Sequence, residues 1–117
     1  KAPRRSRDII YSMRRRAPKS RFVLWAEAKY YENQRLHQQA AQTYGKLADS
    51  YETEGYGYYN GAVTRNKQAH AHIKAKEGAF AESACKRLFE RYSGGGGDKR
   101  VAAIVKDTEK LLERLSK

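Results

Sequence analysis

Several kinds of protein are closed to this chain by what it lacks. A single cysteine, Cys85, excludes an internal disulfide framework and fits a reducing compartment. Proline occurs only at Pro3 and Pro18, so beyond residue 18 nothing but glycine interrupts helix formation. No segment approaches the run of about 20 apolar residues that a membrane-spanning helix needs. Alternating strand patterns are almost absent. The histidines, His37, His70 and His72, show no ligand spacing: His70 and His72, two apart, point about 200° apart on a helix, so no metal site is expected. Gly94 to Gly97 lack the Lys-Ser/Thr of a phosphate-binding loop and follow a helix, which makes them a hinge. No paired carboxylates and no Ser/His/Asp or Cys/His set can be assembled. The expectation is a protein that is not an enzyme and that carries no cofactor and no metal.

Positive charge is what the chain does have, and it is unevenly placed. Nine of the first twenty-one residues are Lys or Arg against one acid, Asp8. That segment supplies +8 of a net +12 and leaves +4 on residues 22 to 117. Crowded like charges repel until a polyanion neutralises them. Arginine dominates the central cluster, Arg14-Arg15-Arg16, and its planar fork suits bidentate phosphate contact. The candidate nucleic-acid contacts are therefore Arg4, Arg5, Arg7, Arg14, Arg15, Arg16, Lys19 and Arg21. Between the prolines, Ile9, Ile10 and Met13 would share one face of a short helical turn, which argues against a purely solvated tail. The arm's Arg-rich, acid-poor composition is also that of an organellar transit peptide, but the segment is read as part of the working protein.

At 117 residues, with 39% apolar residues and a mean hydropathy of -0.97, the chain supports one modest domain with a thin core. Helical spacing recurs throughout the body. Ser20 caps a helix to about Asn33, with Leu24, Ala28 and Tyr31 facing inward and Trp25 alongside. A second helix from about Leu36 carries Leu36, Ala40, Tyr44, Leu47, Ala48 and Tyr51 at helical spacing, and Gly45 within it suggests close helix approach or simple tolerance. Glu54 to Gly61 reads as a loop, a weaker helix spans 62 to 77 (Val63, Ala69, Ile73), and Gly78 turns the chain. Phe80, Ala84, Cys85, Leu88, Phe89 and Tyr92 then form one stripe. After the linker, Asp98 caps a last helix whose Val101, Ile104, Thr108, Leu111 and Leu115 make a seam too short to stand alone, so it must lie on this body or on a neighbour. The fold class is all-α: four to five helices in antiparallel hairpins, with an extended basic N-terminal arm and a C-terminal helix after a Gly linker. The divisions are 1–21 arm, 22–92 body, 93–97 linker and 98–117 amphipathic helix.

Residues 24 to 48 resemble a tetratricopeptide-type helical hairpin. Leu24, Ala28 and Tyr31 take the large-small-aromatic set of the first helix, and Ala40, Tyr44 and Leu47 line the second. Gly78, Phe80, Ala84 and Leu88 echo the turn and second helix of a further unit at an offset of 44. The resemblance implies a protein-binding scaffold without enzymatic activity.

Two further groups are candidate partner interfaces. Tyr56, Tyr58 and Tyr59 crowd a glycine-spaced stretch, and tyrosine offers large contact area for little entropy. Val101, Ile104, Leu111 and Leu115 form the apolar seam of the last helix. A helix-turn-helix around Gly78 would lack a basic recognition face, because Glu82 and Glu90 interrupt Lys86, Arg87 and Arg91. The expected function is that of a structural subunit of a large ribonucleoprotein, an organellar ribosome foremost, hence a mitochondrial location. The arm would contact RNA phosphates and the helices would dock on neighbouring proteins. The alternative is an accessory subunit of an organellar, respiratory-type membrane-protein complex, with the arm on acidic subunits or anionic headgroups.

Overall fold

The computed structural model describes residue 9 and residues 20–54, 58–94 and 98–116, the side chains of Glu54 and Tyr58 excepted. From residue 20 on, the described residues form five successive helices: α1 (Arg21–Asn33), α2 (His37–Glu54), α3 (Tyr58–Lys74), α4 (Gly78–Tyr92) and α5 (Lys99–Leu115). No strand occurs among the described residues, and the class is all-α, built from antiparallel hairpins. Each helix packs on its successor, and α5 returns to lie on α3 as well as α4. The body is a slab 19 Å thick, about two helix diameters.

Helix starts follow the side chains expected to cap them. Ser20 is extended (φ -65, ψ 135) and its Oγ accepts from the Phe22 amide at 3.2 Å. Asp98 does the same for α5, its Oδ1 accepting from the Arg100 amide at 2.8 Å. Both hairpin turns end in one motif. At the first, the Leu36 amide donates to the Tyr31 carbonyl and the Arg35 amide to that of Glu32. At the second, Glu77 donates to His72 and Lys76 to Ile73. This six-to-one and five-to-two pairing requires a left-handed residue, and Arg35 (φ 60) and Lys76 (φ 62) supply it. Gly78 is thus not the turning residue: Lys76 turns the chain and Gly78 is the first residue of α4.

Arg35 and Lys76 lie 41 positions apart, and that offset rather than 44 superposes the hairpins in sequence. It pairs Ala28 with Ala69, Ala40 with Ala81, Tyr44 with Cys85 and Leu47 with Leu88, all eight fully buried. The inward stripe of α4 is accordingly Ala81, Ala84, Cys85, Leu88 and Tyr92. Phe80 lies off it, 61% exposed, and Leu36 belongs to the turn at 40%. Both are corrections to the periodicity reading, which favours large apolar residues wherever one helical turn admits them.

Small residues let the layers approach. Ala28, Ala40, Ala41, Tyr44 and Ala71 join α1, α2 and α3, with Tyr31 packed against them. Ala62, Leu88, Tyr92 and Val101 join α3, α4 and α5, as do Ala69, Ala84, Cys85 and Leu111. The span expected as a loop to Gly61 is shorter, because α3 begins at Tyr58. Gly61 lies inside the helix and is buried: a Cβ there would meet the Tyr92 hydroxyl at 2.0 Å. Its role is close approach, not chain reversal.

Candidate nucleic-acid interface

Because successive helices reverse direction, the slab has two edges of different make-up. One, the loop edge, gathers the amino ends of α1, α3 and α5 and the carboxyl ends of α2 and α4. The other, the turn edge, carries the turns at Arg35 and Lys76 and the end of α5, where Leu112 and Leu115, like Ile73, pack against the buried cluster of Ala69, Ala84, Cys85 and Leu111.

At the loop edge Arg65, Arg87, Arg91 and Arg100 are held by the chain itself. Arg65, 1% exposed, donates to Asp49 at 2.8 Å, to Glu52 at 2.6 Å and to the Gln68 side chain at 2.8 Å. Burial opposes its charge, but the hydrogen bonds it donates to Glu52 and Asp49 outweigh that and raise its pKa. The Tyr92 hydroxyl donates to Glu52 at 2.9 Å. Burial first, then this carboxylate, pushes the phenol well above its ordinary value. Arg87 reaches Asp49 at 3.3 Å, and Arg91 donates to the Glu52 carbonyl at 3.0 Å. With Glu90, these residues line a shallow groove between α2 and α4. Arg100 bonds Asp98 and lies 4.0 Å over the Tyr59 ring.

At the turn edge Glu32 and Glu77 are occupied, while Arg35, Lys74 and Lys76 are not. Glu32 accepts from Lys29 at 3.2 Å and from the Tyr44 hydroxyl at 3.0 Å. Burial would raise its pKa, yet those two hydrogen bonds and the charges of Lys29 and Lys67 hold it below the usual carboxylate range. Glu77 meets His72 Nδ1 at 2.9 Å, and the His72 ring lies 5.5 Å from that of Phe80. Arg35, Lys74 and Lys76 are exposed and make no side-chain ion pair or hydrogen bond among the described residues.

Of the sequence-derived arm contacts, Arg4, Arg5, Arg7, Arg14, Arg15, Arg16 and Lys19 lie outside the described residues, as do Ile10 and Met13; Ile9 is exposed. Arg21 opens α1, donates to Ser50 Oγ at 3.3 Å and lies 5.4 Å over the Tyr51 ring, which ties the root of the arm to α2. Tyr56 lies outside the described residues, and Tyr58 and Tyr59 belong to α3 rather than to a loop. Tyr59 is covered on one face by Arg100. Val101 and Leu111 are buried in this chain's own core, with Ile104 and Leu115 packed against it. The seam closes on its own body, so Val101 and Leu111 have no surface to offer a neighbour. Phe22, 68% exposed, and Trp25, 37%, are the large aromatics that α1 does present.

His70, Asp107 and Cys85 are paired or sealed. His70 bonds Asp107 at 2.9 Å, across from His72, which turns to Glu77. Asn66 donates to Asp107 as well, and these two hydrogen bonds hold that carboxyl below its ordinary pKa. Burial, then the charges of Asp107 and Glu82, push the Cys85 thiol up to about 11, which keeps it protonated and unreactive. Among the described residues no helix is long and apolar enough to cross a membrane.

Comparison with protein-family models, with curated proteins and with solved structures finds no match. Composition along the chain singled out the arm but passed over Arg35, Lys74 and Lys76, which are too sparse in sequence to form a charge cluster. Only the 41-residue self-alignment of the two hairpins could have brought them together.

Proposed function

We propose that this chain is a non-enzymatic structural subunit of a large ribonucleoprotein, an organellar ribosome-like particle. In it the bases of residues 1 to 21 follow RNA phosphates while the hairpins dock on neighbouring proteins. The observation that carries the reading is the +8 of the arm beside a body of only +4. The carboxylates nearest the arm's root support it. Asp49 and Glu52 already serve Arg65 and Arg87, so they are poor counter-ions for the arm. The exposed Phe22 and Trp25 on α1 supply apolar area for a protein neighbour.

Binding to RNA should weaken with salt at a log-log slope of about 0.7–0.9 per phosphate contact, and changing Arg14, Arg15 and Arg16 to Gln should flatten it. Nuclease should release the native protein from its particle in co-sedimentation. Binding indifferent to salt and to those three changes overturns the reading. Co-purification with detergent-solubilised subunits, unaffected by nuclease, would assign the arm instead to a membrane-protein complex.

A further inference from the structure

We propose that the turn edge of the body is a second RNA-contacting surface, on which Arg35, Lys74 and Lys76 meet the phosphate backbone independently of the arm. The inference rests on RNA being the partner, but it concerns folded residues that the arm reading does not use. Three observations converge on this edge.

The first is availability. The loop-edge arginines Arg65, Arg87, Arg91 and Arg100 are engaged within the chain, whereas Arg35, Lys74 and Lys76 are exposed and make no ion pair among the described residues. The second is the field around them. Glu32 is neutralised by Lys29, which leaves Glu77, hydrogen-bonded to His72 Nδ1, as one acid against the three cations. The exposed Glu113 at the end of α5 is flanked in sequence by Arg114 and, three residues earlier, by Lys110. Positive potential therefore dominates this edge and favours phosphate.

The third observation is backbone conformation. Arg35 and Lys76 occupy left-handed positions in two separate turns, where glycine carries no steric cost and any other residue does. Both turns nonetheless carry a long cation. A fold selected for stability alone would place glycine there, so the retained charge points to a ligand. The neighbouring Phe80 decides between polyanions. Its ring is 61% exposed and backed by His72, a platform that suits an unpaired base and that an acidic peptide does not require.

The test uses the full chain and a mixed-sequence single-stranded RNA of ~20 nucleotides, titrated between about 50 and 200 mM salt. R35G/K76G should raise Tm by several degrees, because both left-handed positions relax. The same variant should flatten the salt slope by about 1.4 and weaken binding roughly 20-fold near ~0.1 M salt, the effect of two lost phosphate contacts. R35Q/K76Q should reproduce the loss of binding with Tm nearly unmoved, which separates charge from backbone. If both variants keep the parental slope and affinity while R14Q/R15Q/R16Q flattens it, this inference falls and the arm reading stands. If the turn-edge variants lose binding and the arm variant does not, the inference stands and the arm reading falls. An unaltered chain that ignores RNA sinks both. Tighter binding to polyglutamate than to RNA, lost in R35Q/K76Q, would reassign the edge to an acidic protein and overturn the RNA claim.

Discussion

The two edges of the slab use the same residue types to opposite ends. At the loop edge, arginines are spent on the fold: Arg65 is buried against Asp49 and Glu52, Arg87 and Arg91 bond Asp49 and the Glu52 carbonyl, and Arg100 bonds Asp98. At the turn edge, Arg35, Lys74 and Lys76 make no ion pair among the described residues, while Glu32 and Glu77 beside them are held by Lys29 and His72. Net charge alone would rate the body as only weakly basic. The separation of paired from unpaired cations is what gives one edge a binding character and the other a structural one.

That contrast can be broken most severely at Arg65. Arg65→Ala leaves Glu52 facing a desolvated gap without its partner, and stability to urea should fall by about 3–5 kcal/mol, with RNA affinity of the surviving folded fraction unchanged. Gly61→Ala attacks the same edge by volume. The added methyl displaces Tyr92 from Glu52, and about 1–3 kcal/mol should be lost in the same assay. A fall in stability below half a kcal/mol for either would show that the loop-edge network is not what holds α2, α3 and α4 together.

The pH dependence sharpens the comparison on a smaller scale. Glu32 and Asp107 have folded pKa values below their unfolded ones, so the unfolded chain takes up protons first as pH falls. Their stabilisation is complete above the ordinary carboxylate pKa of about 4 and drains away as pH drops through the folded values. Thermal melts from neutral pH downward should show Tm declining below about pH 4, and Asp107→Asn should make that decline shallower. The smallest effect is expected at Arg87. Its pair with Asp49 is exposed on both sides, and Arg87→Gln should change stability by no more than about 0.5 kcal/mol. A large loss there would place the outer pair within the structural network.

Much of the fold was legible because helix signals are local. Ser20 and Asp98 announced their helices through a side-chain oxygen ahead of an apolar periodicity, and the absence of proline beyond Pro18 left helices uninterrupted. Two readings failed for a shared reason. Gly61 and Gly78 look alike in sequence, yet one admits the Tyr92 hydroxyl and the other merely opens a helix. Glycine marks a place where a side chain is unwanted, and only the neighbours say why. Phe80 went astray because a one-residue shift of register along α4 exchanges it for Ala81 at the core, and alanine gives a weak periodic signal. The candidate site divided similarly. The arm is a concentration of charge along the chain and needs no fold to be seen. The turn edge draws Arg35 from one hairpin and Lys74 and Lys76 from the next, so no window along the chain contains it.

The chain by itself determined an all-helical body, its capped helix starts and the displacement of positive charge toward one end, since each depends on residues a few positions apart. Which cations are consumed and which remain was decided only in three dimensions. Pairing Arg65 with Glu52, or leaving Lys76 bare, turns on how helices distant in sequence are juxtaposed, and that follows from the packing of small alanine faces rather than from any local propensity.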